Sequence, residues 1–164
     1  MADTYTLISS VTVGAGGAAS IDFTSIPGTY TDLLLRISAR TTNANFYDSM
    51  GISFNNTGTG VTFKRLQGNG QVTSSGTTMG NALVGDTATA STFGNQDIYI
   101  TNYAGSNYKS FSMDSVGENN ATGAIAILDA GLWSDTTAIN RITITCGNSF
   151  KQYSTAYLYG IKNS

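Results

Sequence analysis

The sequence predicts an all-β fold, an antiparallel two-sheet β-sandwich of jelly-roll type with about eight to ten strands. Three observations support this prediction. Apolar and polar residues alternate in many short runs, which is the side-chain period of a strand. Charged residues make up only 11% of the 164 residues, and Glu118 is the only glutamate, so the charged faces of amphipathic helices are missing. Runs of Gly, Asn, Ser and Thr separate the alternating segments and indicate turns.

The clearest strand pattern follows the only proline, Pro27. Leu33 and Leu35 lie on one face of the alternating run 30–40, and Arg36 lies on the other. A helix would scatter the charged residues of this run among its leucines. Burying each large aliphatic side chain contributes about 1.5–3 kcal/mol before conformational entropy is counted. The run is therefore predicted to be a central strand.

The other predicted strands show the same alternation in weaker form. They span residues 4–13, 19–24, 50–54, 61–65, 97–103, 109–116, 124–133, 141–146 and 154–162. The turn sequence NNTGTG predicts one hairpin between 50–54 and 61–65, and AGSN predicts another between 97–103 and 109–116.

The stretch 68–96 is the exception to this pattern. It is rich in Gly, Ser and Thr, has few large apolar residues and exceeds the usual length of a loop. It consists either of short irregular strands or of a long arm that orders against a partner. Since neither side of it looks complete alone, we expect a single domain that covers residues 1–164.

Composition excludes several classes of function. The net charge of −2 and the scattered Lys and Arg residues provide no basic surface for nucleic acid. Without histidine, neither Ser–His–Asp nor Cys–His catalysis nor a His metal site can be built, and Cys146 has no intrachain partner. The carboxylates are too sparse for a calcium loop, and no apolar run reaches the roughly 18 residues of a membrane span. We expect no catalytic, metal or cofactor-binding residue, and no membrane or nucleic-acid partner.

The run 124–133 is apolar on both faces, which is unusual for a strand of a sandwich. The two sets are Ile125, Ile127 and Trp133 on one face, and Ala126, Leu128, Ala130 and Leu132 on the other. One set faces the core, so the other needs its own cover. That cover is either a loop from 68–96 or a neighbouring subunit, because large apolar patches rarely stay bare on monomers.

Asp129 lies in the same run, on the face of Ile127. A buried carboxylate there would need a partner such as Arg36 or Arg141, because an unpaired charge is costly to desolvate. A β-bulge beside Gly131 would instead leave the carboxylate exposed to solvent. Of these two interpretations we favour the bulge.

Aromatic and amide side chains gather near the turn of the second predicted hairpin. They are Tyr99, Asn102, Tyr103, Asn107 and Tyr108. Because aromatic rings combined with amides can bind sugars, these residues are candidates for a glycan contact. The alternative is that the rings pack like ordinary sandwich tyrosines, with solvated hydroxyls.

Four segments carry a resemblance to a known class of proteins. They are IPGTYTDLLLRISAR, NQDIYITNYAGSNYKSFSMDS, ILDAGLWS and YSTAYLYGIK, which fall between residues 26 and 162. At these segments the sequence resembles small structural proteins of tailed bacteriophages, especially cyanophages and other aquatic phages. The resemblance implies a β-sandwich component of the virion without catalytic residues. Proteins of this kind commonly sit on the capsid exterior as cement or decoration subunits, often as trimers.

We therefore expect a non-enzymatic capsid cement protein that forms a homotrimer and bridges neighbouring major capsid proteins, where multivalent contacts strengthen the shell. The residues expected at subunit or capsid interfaces are Ala126, Leu128, Ala130 and Leu132 of the two-sided run, and Met79, Leu83 and Val84 of the arm. The alternative is a tail-fibre or receptor-binding module whose Tyr and Asn side chains hold a host-surface glycan. Either protein would be made in the host cytoplasm and located in the virion.

Overall fold

The computed structural model describes residues 4–80, 83–119 and 123–162, and these residues contain strands but no helix. In chain order the strands are β1 (Tyr5–Thr12), β2 (Ala18–Phe23), β3 (Asp32–Ala39), β4 (Tyr47–Asp48), β5 (Met50–Phe54), β6 (Val61–Gly68), β7 (Thr73–Gly76), β8 (Leu83–Val84), β9 (Gly94–Ile100), β10 (Lys109–Glu118), β11 (Ala124–Trp133), β12 (Ile142–Phe150) and β13 (Thr155–Ile161). Neighbouring strands pair antiparallel throughout. The predicted all-β antiparallel fold is confirmed.

The strands form one large sheet and two smaller ones. The large sheet has the order β1-β13-β3-β9-β10-β11-β6-β7, the three-stranded sheet has the order β2-β12-β5, and β4 pairs with β8. Apolar residues of the large and the three-stranded sheets share one core, as in a β-sandwich. A jelly-roll topology is not confirmed, since a jelly roll divides eight strands between two sheets, whereas here one sheet alone holds eight.

The core lies against the inner face of the large sheet and is centred on β3. Leu33, Leu35 and Ile37 of this strand are completely buried, while Arg36 points to solvent. Strand β3 pairs with β13 on one side and with β9 on the other. The alternating run around Leu35 is therefore the central strand that the sequence predicted.

Of the two predicted hairpins, one is confirmed and one is wrong. Strands β9 and β10 pair as expected, with Phe111 opposite Ile100. Strand β5, however, pairs with β12 in the small sheet, while β6 pairs with β11 in the large sheet. The intervening NNTGTG segment crosses from one sheet to the other, and Asn55 and Asn56 adopt positive φ values of 51° and 61° in that crossing. Asn is one of the few residues that tolerates this conformation.

The described part of the stretch 68–96 contains short strands joined by irregular segments, one of the two alternatives that the sequence left open. Strand β7 extends the large sheet beyond β6, and β8 pairs with β4. The stretch ends within β9, which lies in the interior of the large sheet. These pairings make it part of the same β structure as the rest of the chain.

Two glycines allow aromatic rings to lie flat on the inner face of the large sheet. A Cβ atom at Gly131 would lie 2.3 Å from the Phe111 ring, and one at Gly160 would lie 2.3 Å from the Tyr30 ring. The Phe111 ring in turn contacts Phe54 edge-on, at a centroid distance of 5.5 Å. Glycine is needed at both positions because of this close approach, and the rings fill the space that a side chain would occupy.

Candidate interaction surface

The outer face of the large sheet carries an exposed apolar cluster, which we call the leucine patch. It consists of Leu66 on β6, Val116 on β10, and Ala126, Leu128, Ala130 and Leu132 on β11. The exposed fractions of its large side chains are 58% for Leu66, 54% for Leu128, 44% for Val116 and 38% for Leu132. Contiguous exposed apolar surface of this kind marks interaction sites on proteins.

Strand register makes the leucine patch continuous. Leu128 lies directly opposite Leu66 of β6, and Val116 lies opposite Ala126. Directly opposed side chains have Cβ atoms about 4.5–5.5 Å apart, close enough for contact. Because Ala126 and Ala130 are small, the surface between the leucines is low and open. Such a surface can accommodate the side chains of a second apolar face.

The interpretation that a loop from 68–96 covers this face is wrong. Gly80, from that stretch, lies on the opposite side of β11, where a Cβ atom would be 2.4 Å from the Ile127 side chain. Ile127 is buried, whereas Leu128 and Leu132 are exposed. Gly80 thus lies on the inner face, Leu128 and Leu132 stay open to solvent, and cover by a neighbouring subunit stays a prediction.

Charged residues border the leucine patch on two sides. Lys64 of β6 and Asp114 of β10 are both exposed, and within the described residues neither forms an ion pair. Beyond Asp114, Arg36 and Asp97 form a two-point salt bridge with N–O distances of 2.8 and 2.6 Å. The apolar surface therefore lies between the Lys64 ammonium on β6 and the Asp114 carboxylate on β10.

Asp129 lies on the inner side of β11 and is almost fully buried. The predicted β-bulge is wrong, since β11 keeps an unbroken register with both β10 and β6. The alternative partners, Arg36 and Arg141, are wrong as well, because they pair with Asp97 and Asp22. Instead, one oxygen of Asp129 accepts a hydrogen bond of 2.9 Å from the backbone amide of Gly80.

Several buried polar atoms near Asp129 have no hydrogen-bond partner among the described residues. They are Oδ1 of Asp129, Nε of Arg65, Oγ of Ser115, and both side-chain polar atoms of Gln96. Arg65 lies opposite Asp129 in the β6–β11 pair. Burial raises the pKa of Asp129, and the Gly80 amide and the nearby Arg65 charge oppose that effect.

Replacing Asp129 by asparagine is expected to increase stability at neutral pH, with a gain that grows as the pH rises from the unfolded to the folded pKa of Asp129 and is constant above it. The folded pKa lies above the unfolded value, so ionisation first favours the unfolded chain as the pH rises from about 4. Asparagine keeps the acceptor for the Gly80 amide but does not ionise. Urea unfolding at several pH values measures the difference. At low pH Asp129 is protonated in both the folded and the unfolded chain, so this gain should vanish there. A gain in stability that is independent of pH would contradict the explanation.

The arm residues expected at an interface lie on or in the core. Leu83 and Val84 form β8 and are fully buried within the subunit, so their assignment to an interface is wrong. They face inward because β8 pairs with β4 against the core side of the fold. Met79 is partly buried and packs against the core cluster. The arm thus offers no large exposed apolar contact at these three positions.

The hairpin tyrosines separate into three environments. Tyr103, expected to contact a glycan, is completely buried and donates its hydroxyl hydrogen bond to the Pro27 carbonyl, so that assignment is wrong. The Tyr99 hydroxyl donates to Asp32 at 2.6 Å, which raises the pKa of Tyr99 to about 12. Tyr108 is exposed. These three rings do not form one open aromatic surface.

The two asparagines of this hairpin hold its turn. The Asn102 side-chain amide donates to the Asn107 side chain at 3.1 Å, and the backbone amide of Asn102 donates to Asp32 at 2.7 Å. Their polar groups are thus partly committed to local structure. The hairpin is organised by its own contacts, which weakens the case for a glycan site there.

Metal-ligating side chains do not cluster in the described part of the chain. No three His, Cys, Asp or Glu side chains there come close enough together to hold a metal ion. Cys146 is half-buried, and burial raises the pKa of its thiol. Over the same residues, no helix is long and apolar enough to cross a bilayer.

No protein-family model, curated protein or solved structure matches the chain.

Proposed function

We propose that this protein is a structural subunit of a phage virion, a capsid cement or decoration protein that binds its neighbours through the leucine patch. The observation that carries the proposal is the exposed apolar surface on the outer face of the large sheet. The resemblance of four segments to phage structural proteins supplies the context. The expected neighbours are further copies of the chain, as a homotrimer, and the major capsid protein.

The size of the patch favours repeated weak contacts over one tight contact. Its four large side chains are already about half-buried, so covering them contributes roughly 1 kcal/mol each, or about 4 kcal/mol together. Association of two proteins costs at least about 4 kcal/mol in lost freedom of motion. A single patch therefore binds weakly, and an oligomer that contacts several shell subunits at once gains its strength from multivalency.

The bordering charges give this contact an orientation. Lys64 and Asp114 lie on neighbouring strands to either side of β11. A partner that packs on the leucine patch therefore meets a positive charge at one edge and a negative charge at the other. Complementary charges at an interface rim select the partner and its register more than they add affinity.

A double substitution, Leu128→Asp with Leu132→Asp, is expected to lower the affinity of the leucine patch for its neighbour at least about 100-fold, whether that neighbour is another copy of the chain or the capsid protein, because two carboxylates would have to be desolvated. Analytical ultracentrifugation measures the oligomer, and rebinding to particles that lack the protein measures capsid affinity. Both substituted side chains already face solvent, so the fold should persist.

Leu7→Asp is the matched control, because Leu7 is 51% exposed on β1, away from the leucine patch. It should leave both measurements unchanged. The proposal is wrong if the unmodified protein sediments as a monomer and particles lacking it withstand heat and dilution as well as complete particles do.

A further inference from the structure

A groove of about 760 Å³ lies where three turns meet, away from the leucine patch. The β1–β2 turn, the segment 86–93 and the β12–β13 turn form its walls. Its lining includes Arg40, Thr42, Asp86, Ser149, Gln152 and Tyr153. The volume falls within the roughly 300–1,000 Å³ of typical small-molecule sites.

Charged groups at the base of the groove are held in fixed positions. The Lys151 ammonium donates to the Asp86 carboxylate, and this bond lowers the pKa of Asp86. The Arg40 guanidinium lies 3.6 Å from the same carboxylate and is nearly buried. Asp86 and Lys151 remain partly exposed, so the pair presents a hydrogen-bond acceptor and a donor side by side to any molecule in the groove.

Tyr153 at the edge of the groove has a strained backbone and an exposed ring. Its φ is 71°, a conformation that glycine adopts without cost and that is a genuine outlier for a bulky residue. Among the described residues, the other non-glycine positions with positive φ are Ser or Asn. Tyr153 is also 68% exposed. Neither the backbone conformation at this position nor packing in the core favours a tyrosine. Its ring is therefore available for a contact with another molecule.

The turn that carries Tyr153 is fixed on both sides. The Tyr153 amide donates to the Val13 carbonyl at 2.9 Å, and the Ser154 amide donates to the Lys151 carbonyl at 3.1 Å. The amide of Lys151 donates to the Arg40 carbonyl at 2.8 Å. These bonds fix the backbone of the turn that carries both Tyr153 and Lys151, and Lys151 in turn pairs with Asp86 of the segment 86–93. A site assembled in this way loses little freedom when it binds.

We infer that this groove is a binding site for a neutral saccharide. The apolar face of a pyranose ring stacks on the Tyr153 ring. Two neighbouring hydroxyls of the sugar bridge the ion pair, one donating to Asp86 and the other accepting from Lys151. Thr42, Ser149 and Gln152 supply further hydroxyl and amide groups for the remaining sugar hydroxyls.

The same groups disfavour other ligands. A nucleotide or phosphate would find the Lys151 ammonium paired with Asp86 and the Arg40 guanidinium donating to backbone carbonyls, and no helix N-terminus is present in the described residues to receive it. A protein partner would need a larger exposed apolar centre than Tyr153, the half-buried Phe93 and a few alanines provide. The inference is independent of the proposed structural role, because the groove and the leucine patch share no residue.

A glycan array followed by isothermal titration with the best-bound neutral oligosaccharide tests this inference on the full chain. Tyr153→Ala is expected to weaken binding at least about tenfold, the effect of losing one well-made contact. Tyr153→Phe keeps the stacking ring and should bind nearly as well as the unmodified protein. Asp86→Asn weakens the ion pair and should also lower affinity.

Tyr108→Ala is the matched control, since it removes another exposed tyrosine, 56% accessible, from the β9–β10 hairpin. It should not change binding. Absence of binding to every neutral glycan on the array overturns the inference, as does equal binding by Tyr153→Ala. Tyr153→Gly guards against misfolding, because glycine fits the positive φ; it should fold normally and still lose affinity.

Discussion

Substitution of Arg40 by alanine is expected to lower the free energy of unfolding by about 3–5 kcal/mol. The side chain is nearly buried. Its guanidinium donates to four backbone carbonyls, those of Asp86, Ala88, Thr89 and Thr92, at distances of 2.8–3.1 Å. Alanine leaves these carbonyls without their donor and opens a space behind the segment 86–92. One side chain therefore holds a whole irregular segment against the sandwich.

Urea unfolding of Arg40→Ala against Arg36→Ala measures this effect. Arg36 also forms a bidentate salt bridge, but its side chain is 56% exposed, so its loss should cost less than about 1 kcal/mol. Arg40→Lys keeps the positive charge but lacks the planar array of donors, and it should lose a large part of the stability. Equal losses for Arg40→Ala and Arg36→Ala would show that the buried hydrogen bonds contribute little.

Trp133→Ala is expected to cost about 3–5 kcal/mol, the usual range for removing a buried tryptophan. The side chain is 1% exposed, and its ring lies 5.3 Å from the Phe54 ring. It also covers the buried Lys109, whose ammonium lies 5.5 Å from the ring centroid. The Lys109 ammonium donates to the carbonyls of Asp135 and Thr137. Alanine would create a cavity and remove the aromatic face from a desolvated cation.

Thermal and urea unfolding of Trp133→Ala and Trp133→Phe separate these contributions. Phenylalanine fills most of the cavity and retains a ring above Lys109, so it should recover more than half of the loss. Tyr108→Ala, which removes an exposed ring, should change stability by no more than about 0.5 kcal/mol. If phenylalanine were no better than alanine, the indole geometry rather than volume and ring contact would account for the stability.

Much of the fold could be predicted because alternation within a strand is local. The runs around Leu35 and Leu128 give both the strands and the faces that the side chains occupy. The pairing partner of each strand could not be predicted in this way, because partners such as β3 and β13 are separated by most of the chain. The NNTGTG turn has the composition of a hairpin, and only the long-range pairing of β5 with β12 shows that it connects two sheets.

In the candidate site, too, the side-chain positions set by local alternation could be predicted, whereas those set by contacts distant in sequence could not. The outward position of Leu128 follows from the alternation around it. The buried Asp129 carboxylate accepts a hydrogen bond from the Gly80 amide, which is 49 residues away in sequence. No local sequence pattern predicts that hydrogen bond. Tyr103 lies just beyond the end of β9, where alternation stops, and the turn directs its ring inward. The groove beside Tyr153 is built from three turns. Turns lack the side-chain periodicity from which strands are predicted, so the groove could not be predicted from the sequence.

The position of β13 in the sheet has a consequence for biosynthesis. This strand lies between β1 and β3, although it follows both by more than a hundred residues in the chain. During translation, β1 stays unpaired until β13 leaves the ribosome, because β13 is its only strand partner among the described residues. The nascent chain therefore carries an unpaired strand edge while the more than one hundred residues between β3 and β13 are made, and protection by a chaperone during that interval would favour correct closure.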